Sequence, residues 1–172
     1  MLFYPKMYKK NIFEIPYDKL KKQKIKVLLF DLDNTIGKLN EGKASREVEE
    51  LFKKLSKNFK IAIVSNNNSK KRVGTFAKNL GVDYFYFAKK PSTKCIRKAM
   101  NRYNVIPDNI AMIGDQLITD ILAANRIKCM SILVDPLADK DLKITYINRA
   151  IENQIIKSYN KKGIFARGEY YE

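Results

Sequence analysis

Short, almost wholly apolar runs alternate with amphipathic stretches along this chain, and this alternation constrains the fold more than any other feature. The runs occupy residues 25–30, 61–64, 84–88, 110–113 and 131–134. Continuous apolar runs of this length are typical of strands in a parallel sheet, where both faces are buried. Helical segments between successive strands cover those faces. The sequence therefore predicts an α/β fold, a three-layer α/β/α sandwich with a mostly parallel five-stranded sheet.

Apolar residues spaced three and four apart predict the helices that separate these strands. The first helix has Ser45 as its N-cap, and the second runs from Ser69 to a terminating Gly81. Ser92 is predicted to cap the next helix, and another begins near Leu117. A final amphipathic helix is indicated by the isoleucines at positions 144, 147, 151 and 155.

We divide the chain into a basic and aromatic N-terminal segment (1–23), one domain (24–160) and a loose C-terminal tail (161–172). The aliphatic stretches are far too short to span a bilayer, and no signal segment is recognisable. Cys95 and Cys129 are the only cysteines. Two cysteines in a chain of this length do not form a disulfide framework, and this indicates a reducing compartment. We predict a cytoplasmic protein, either soluble or held at the cytoplasmic face of a membrane.

The chain contains no histidine, and this absence removes several classes of site. Nucleophile pairs of the Ser-His or Cys-His type are excluded, and so are metal sites built on imidazole. Two cysteines alone cannot complete a structural zinc site. Any hydrolytic chemistry must therefore come from carboxylates, lysine, serine, tyrosine and a metal bound through oxygen.

The formal net charge of +16 makes the chain strongly basic. Such a field attracts anions, which include phosphorylated substrates, nucleic acids and anionic lipids. A solvated, lysine-rich surface without a specific partner would give the same composition. The charge therefore favours an anionic partner without selecting one.

Polar residues follow four of the apolar runs at the point where each strand is predicted to end. The sets are DLDNT (31–35), SNNN (65–68), KKP (89–91) and GDQ (114–116) with Asp120. Each set alone could form a turn, cap a helix or be a solvated charge pair. Ligands of parallel α/β sheets bind beyond the carboxyl ends of the strands, where all four sets would meet. We expect three carboxylates, a hydroxyl group and a lysine to converge there.

In this order the four sets resemble the motifs of the haloacid dehalogenase-like (HAD) phosphatases. That superfamily carries, in order, D-x-D-x-T, a strand-end Ser or Thr, a Lys and the acidic motif G-D-x-x-x-x-D. The corresponding segments of this chain, between residues 24 and 136, are DLDNT, IVSNN, AKKP and GDQLITD. The SNNN run, the KP pair and the dipeptide Asn125-Arg126 are similar to the YqeG-type branch of subclass IIIA, which is related to phosphatidylglycerophosphate phosphatases. The resemblance implies a HAD-like (Rossmannoid) fold.

The resemblance assigns a role to each residue of the predicted site. Asp31 would be the nucleophile, Asp33 the general acid and base, and Lys90 the cation beside the transferring phosphoryl group, with Lys89 as the fallback. Phosphate oxygens would be bound by Ser65 and Asn66, although a loop-capping role is equally open for Asn66. Mg²⁺ would be bound by Asp31, the backbone carbonyl of Asp33, Asp115 and, as a secondary ligand, Asp120.

The spacing between the motifs leaves no room for a cap domain. Only 31 residues separate Asp33 from Ser65, and 24 separate Ser65 from Lys90. By resemblance, an uncapped site favours bulky or surface-presented substrates, so we predict a lipid head group, with phosphatidylglycerophosphate first. The first 26 residues carry a net charge of +6 among aromatic residues, so that segment could contact an anionic membrane or pack on the domain.

Two other functions stay open. The first is a phosphatase of soluble metabolites such as nucleotides or sugar phosphates. The second is a basic nucleic-acid-binding protein on a HAD scaffold, which the charge and the aromatic content favour. The complete catalytic set argues against nucleic-acid binding, since a pure binder has no physical need for three neighbouring carboxylates.

Overall fold

The computed structural model describes residues 1–39, 41–138 and 143–172, with residues 143–148 as backbone only. Its sheet has six strands in the order β1-β6-β5-β2-β3-β4, and every neighbouring pair is parallel. The strands are β1 (Met7–Lys9), β2 (Val27–Phe30), β3 (Lys60–Val64), β4 (Asp83–Phe85), β5 (Ile110–Gly114) and β6 (Met130–Val134). The predicted α/β fold is confirmed, but the sheet has one strand more than the five that were predicted.

Helices occupy the connections between the strands, and one more follows β6. They are α1 (Tyr17–Lys22), α2 (Arg46–Leu55), α3 (Lys70–Leu80), α4 (Lys94–Tyr103), α5 (Leu122–Ile127) and α6 (Lys143–Lys161). A π-helical turn over Leu117–Ile121 leads directly into α5, and short 3₁₀ turns occupy Ile12–Glu14 and Pro107–Asn109. The side chains of Ile144 and Ile147, which were predicted to line the last helix, lie outside the described residues.

Side-chain caps fix two of the helix starts as predicted. The hydroxyls of Ser45 and Ser69 accept hydrogen bonds from the third residue beyond each of them. At α4 the structure differs from the prediction by one position. Ser92 accepts from the amide of Lys94, but the helix begins at Lys94 itself, so Thr93 is its N-cap residue.

Both faces of the sheet are covered by apolar side chains. On one face α2 and α3 pack against β2 and β3, where the rings of Phe30 and Phe52 lie 4.8 Å apart. On the other face α4 and α5 contribute Ile96, Ala99 and Ala123 to a second core. Because all four residues of β2 are buried, this strand carries its carboxyl end to the centre of the fold.

Strand β1 places part of the N-terminal segment inside the sheet. Met7 and Tyr8 are fully buried, and β1 pairs with residues 132–134 of β6. The sequence did not predict this strand because three residues that mix lysine with apolar side chains carry no clear period. Backbone pairing with distant parts of the chain, first with the edge of β6, gives the segment its extended conformation.

The prediction of a loose C-terminal tail is wrong. The backbones of Tyr8 and Tyr171 exchange two hydrogen bonds of 3.0 Å, and the side chain of Phe165 is buried. Tyr4 stacks on Tyr171 with ring centroids 5.6 Å apart. Aromatic side chains at irregular spacing create this contact, so no helical or strand period revealed it.

The order of the strands decides where a site can form. The central strand β2 lies between β5 and β3, so the loops that follow these three strands meet at one edge. Within the described residues, the connections from β2 to α2 and from β3 to α3 are loops, and no further domain is inserted in them. None of the described helices combines the length and the apolar character that crossing a bilayer requires.

Candidate active site

A buried lysine lies between two carboxylates at the end of β2. The Nζ atom of Lys90 is 2.5 Å from Oδ1 of Asp31 and 2.6 Å from Oδ1 of Asp120. Burial lowers the pKa of Lys90, but the attraction of Asp120 and Asp31 outweighs it and leaves that pKa above its ordinary value. Lys89 is exposed, with Nζ 4.5 Å from the centre of the Phe87 ring. Of the two candidate lysines, Lys90 is therefore the one that contacts the carboxylates.

Asp31, Asp115 and Asp120 form a buried cluster. Each offers a carboxylate oxygen, and these oxygens lie within 4.8 Å of one another. Burial raises the pKa of Asp31 well above its usual range, against the opposing effect of Lys90, and Asp120 and Asp115 raise it further. Burial likewise raises the pKa of Asp115 to about 7, although Arg149 opposes this shift. A hard divalent cation such as Mg²⁺ fits an all-oxygen donor set whose charges repel one another.

The turn after β5 explains why this motif has a glycine before its first aspartate. A Cβ atom on Gly114 would lie 2.3 Å from Cγ of Asp120, so only glycine lets that side chain approach. Oδ2 of Asp120 also accepts a hydrogen bond of 3.2 Å from the amide of Gln116. The π-helical turn thereby directs Asp120 back toward the end of β5.

The loop after β2 supplies a second contact to the cluster. The hydroxyl of Thr35 donates to Oδ1 of Asp115 over 3.2 Å. Asn34 has a left-handed φ of 65°, and its backbone N–H donates to the backbone carbonyl of Gly37 over 2.8 Å. This tight loop brings Thr35 to Asp115 at the end of β5, which gives the threonine of the DLDNT motif a structural role that we did not assign from the sequence.

The loop after β3 holds Lys90 through its backbone. The side-chain oxygen of Asn66 accepts from the amide of Lys90 over 2.7 Å, and its NH₂ group donates to the Lys90 carbonyl over 3.1 Å. Asn66 thereby joins the loop after β3 to the segment that carries Lys90, a contact that differs from the loop-capping role left open by the sequence. Ser65 is buried, and its hydroxyl accepts from the amide of Asn67 over 3.1 Å. Phosphate binding by Ser65 and Asn66 stays a prediction.

Asp33 is held by two side chains from the β3–α3 region. Its carboxylate accepts from Arg72 over 2.6 Å and from Asn67 over 3.1 Å. Arg72 also donates to the carbonyls of Glu41 and Lys38, so it ties the loop after β2 to Asp33. We did not predict Arg72, because an arginine in the first turn of a surface helix carries no signal of its own. The proposed metal contact through the Asp33 carbonyl stays a prediction.

A further basic residue reaches the cluster from α6. Arg149 forms an ion pair with the carboxylate of Asp115 and donates to the Asp115 carbonyl over 2.9 Å. It also pairs with Glu152, which is fully buried, over 3.1 Å. The sequence predicted only an amphipathic helix here. A contact across 34 residues of chain has no local signature.

Comparison with known proteins places this geometry in a family. A profile of the family described as mitochondrial PGP phosphatase matches residues 1–137. The probable phosphatase YqeG of Bacillus subtilis is 38% identical over 162 residues, which cover 94% of both chains. The chain belongs to the PGP phosphatase family. The resemblance to HAD phosphatases of the YqeG type is therefore confirmed, and the protein is a phosphoric monoester hydrolase.

Two solved structures share the fold of this family member. A cobalt-bound deoxy-D-mannose-octulosonate 8-phosphate phosphatase from Haemophilus influenzae gives a TM-score of 0.55 at 19% identity, covering 84% of this chain and 95% of its own. An uncharacterized protein from Listeria monocytogenes also gives 0.55 at 17% identity, covering 69% of this chain and 85% of its own. At these identities the likeness concerns the fold alone.

Proposed function

We propose that this PGP phosphatase family member hydrolyses phosphate monoesters with Mg²⁺ through a phosphorylated Asp31. The observation that carries the proposal is the contact of Asp31 with buried Lys90, inside a cluster of three carboxylates at the end of the central strand. An aspartate that only forms a solvated turn does not require a buried lysine beside it. A carboxylate that attacks a phosphate dianion does require a neighbouring cation, because the cation offsets the repulsion between the two negative groups.

In the proposed reaction, a carboxylate oxygen of Asp31 forms a bond to phosphorus as the bond from phosphorus to the ester oxygen breaks. Asp33 donates a proton to the departing alkoxide, which leaves as an alcohol. It then removes a proton from water, whose oxygen attacks the same phosphorus and releases inorganic phosphate from Asp31. Lys90 stays positively charged throughout and offsets charge on the phosphoryl oxygens.

The metal would be held by Asp31, the backbone carbonyl of Asp33, Asp115 and Asp120. When bound, Mg²⁺ would add positive charge to that of Lys90 and Arg149, which together face the three carboxylates of the cluster and the buried Glu152. Burial, and after it the neighbouring carboxylates, raise the pKa values of Asp31 and Asp115, and a bound cation would stabilise the charged forms of both.

For the substrate we propose a lipid head group, with phosphatidylglycerophosphate first, at the cytoplasmic face of a membrane. The family description names a PGP phosphatase, and the described residues contain no cap over the site. Both described cysteines are free and buried, which agrees with a reducing compartment.

Exposed apolar side chains beside the site support the lipid substrate. Phe87 is 51% exposed, and its backbone N–H donates to the backbone carbonyl of Asn67. The side chain of Asn67 in turn donates to the carboxylate of Asp33. Leu137 is 41% exposed, and its amide donates to the carbonyl of Asn34 in the loop after β2. We call Tyr86, Phe87, Leu137 and the exposed Lys89 the apolar rim. Apolar residues next to a lysine suit an anionic bilayer interface.

The N-terminal segment contributes less to such a surface than its composition indicated. Met7, Tyr8, Ile12 and Ile15 pack into the domain. Met1, Leu2 and Phe13 are more than half exposed. The burial of the other four residues supports the alternative that this segment packs on the domain, and we propose the apolar rim, which lies beside the site, for membrane contact.

The test is turnover of phosphatidylglycerophosphate in anionic vesicles, with Mg²⁺ and with a chelator, beside soluble nucleotide and sugar phosphates. We expect the vesicle substrate to be preferred and the chelator to stop hydrolysis. Preference for soluble esters without vesicle binding would eliminate the lipid substrate and leave the metabolite phosphatase. Nucleic-acid affinity that falls steeply with salt concentration, without turnover of any ester, would rule out both phosphatase functions and favour the nucleic-acid-binding protein.

A rim variant makes this test specific to the surface. The double replacement Phe87→Ser and Leu137→Ser should lower the ratio of vesicle to soluble turnover by about tenfold, because it removes apolar area that would enter the interface. Ile106→Ser is the matched control, since Ile106 is 60% exposed and precedes β5 at the opposite edge of the sheet. An equal ratio in the rim variant and the control would contradict docking through the rim.

A further inference from the structure

Helix α6 contacts the carboxylate cluster, although it follows the part of the chain that the family profile matches. Arg149, on its second turn, holds Asp115 at two points, through the carboxylate Oδ2 and through the main-chain carbonyl. The opposite carboxylate oxygen, Oδ1, accepts from the hydroxyl of Thr35. Asp115 is fully buried, and the Arg149 side chain is 14% exposed. Guanidinium and hydroxyl thus fix the carboxylate from two sides.

The arginine is itself held in place. Glu152 lies one turn further along α6, is fully buried and pairs with Nη1 of Arg149 over 3.1 Å. Its other oxygen accepts from the amide of Ile118 over 3.1 Å, in the π-helical turn that carries Asp120. A fully buried carboxylate is costly unless it is paired and hydrogen-bonded. The pair with Arg149 lies within α6, and the hydrogen bond from Ile118 joins the helix to the loop of the site.

The interactions continue to the C-terminal residues. Arg167 lies 3.7 Å from Glu152 and 3.7 Å from Asp135, the residue that follows β6. Asp135 also accepts from the hydroxyl of Tyr170 over 2.6 Å. A chain of polar contacts therefore runs from Asp115 to the C-terminal segment, so the docking of this segment and the geometry of the site are connected.

We propose that Arg149 is a positioning residue for the metal ligand Asp115. It holds Oδ2 and the carbonyl so that Oδ1 is presented to the cation, and Glu152 fixes the guanidinium. This inference rests on the proposed metal-dependent function and adds to it a residue that the family motifs do not contain. The two-point contact needs the planar fork of arginine, which a lysine ammonium group cannot reproduce.

The experiment measures Mg²⁺ binding to the protein alone by calorimetry, and separately the Mg²⁺ dependence of turnover. Arg149→Lys is the deciding variant, since it keeps the charge and removes the fork. We expect a Mg²⁺ dissociation constant higher by about 10- to 100-fold in both measurements, the loss typical of groups that orient metal ligands. The KM for the ester should change little. Arg149→Gln and Glu152→Gln should weaken binding in the same direction.

Arg46→Lys is the matched control, because Arg46 pairs with Glu50 at the surface and its side chain is 87% exposed. A Mg²⁺ constant in Arg149→Lys equal to that of the control, or tighter, would overturn the inference. A tighter constant would mean that Arg149 competes with the cation. Binding is measured without substrate, so a wild-type chain that hydrolyses no ester would refute the proposed function and still leave this inference tested.

Discussion

Replacement of Asp31 by asparagine is expected to abolish ester hydrolysis, with turnover lower by about 10⁴-fold or more, as for other nucleophile replacements. The amide nitrogen and oxygen of asparagine cannot form the bond to phosphorus that the carboxylate forms. Activity of Asp31→Asn is measured with saturating Mg²⁺ and with the best substrate of the panel described above. Turnover within tenfold of wild type would contradict the mechanism.

The fold of Asp31→Asn is expected to remain intact. Burial and two neighbouring carboxylates already raise the pKa of Asp31, so a neutral side chain of the same shape relieves repulsion at that position. Lys90 keeps its partner Asp120 at 2.6 Å. Asp108→Asn is the control, because Asp108 is exposed and precedes β5 at the opposite edge of the sheet. Far-UV circular dichroism and thermal melting should be alike for both variants, and only Asp31→Asn should be inactive.

Replacement of Lys90 by methionine is expected to reduce both activity and stability. Asp31 and Asp120 would lose the cation that lies within 2.6 Å of each. Removal of one partner from a buried ion pair costs about 3–5 kcal/mol, since a buried charge is left uncompensated. We expect a free energy of unfolding lower by about 3 kcal/mol in the absence of metal. Turnover should fall by about 10³-fold, in line with the loss of a group that stabilises transition-state charge.

Added Mg²⁺ should restore part of the stability of Lys90→Met, because a divalent cation can compensate the same carboxylates. It should not restore turnover. Lys89→Met is the matched control, assayed with a soluble ester so that the apolar rim takes no part, since Lys89 is exposed and its Nζ lies over the Phe87 ring. Denaturant unfolding with and without Mg²⁺ measures the stability. A Lys90 variant as stable and as active as the Lys89 variant would show that the buried contacts carry no function.

The parts of the fold and site that the sequence predicted are those encoded locally. Strand β2 is a buried apolar run, and the polar residues after β2, β3 and β5 meet because parallel strands end at one edge. Lys90 reaches Asp31 for the same reason. The capping serines Ser45 and Ser69 act on residues only three positions away, so their roles were also visible in the sequence.

The parts that the sequence did not predict depend on contacts between distant segments. Strand β1 forms because β6 offers it an edge, and Tyr171 then pairs with Tyr8 across 163 residues. Arg72 and Arg149 look like solvated helix residues until the fold brings them to Asp33 and Asp115. Such contacts lack a repeat or a spacing rule, so only the three-dimensional structure reveals them.

The measurement that tests the central claim most directly is capture of the phosphoryl group on Asp31. The enzyme is mixed with substrate and Mg²⁺, quenched in acid within one turnover and reduced with borohydride, which converts an aspartyl-phosphate to homoserine. The proposed chemistry predicts homoserine at position 31 by mass spectrometry, and none in Asp31→Asn or in a sample without substrate. An unmodified Asp31 during rapid turnover, or modification at another carboxylate, would contradict it.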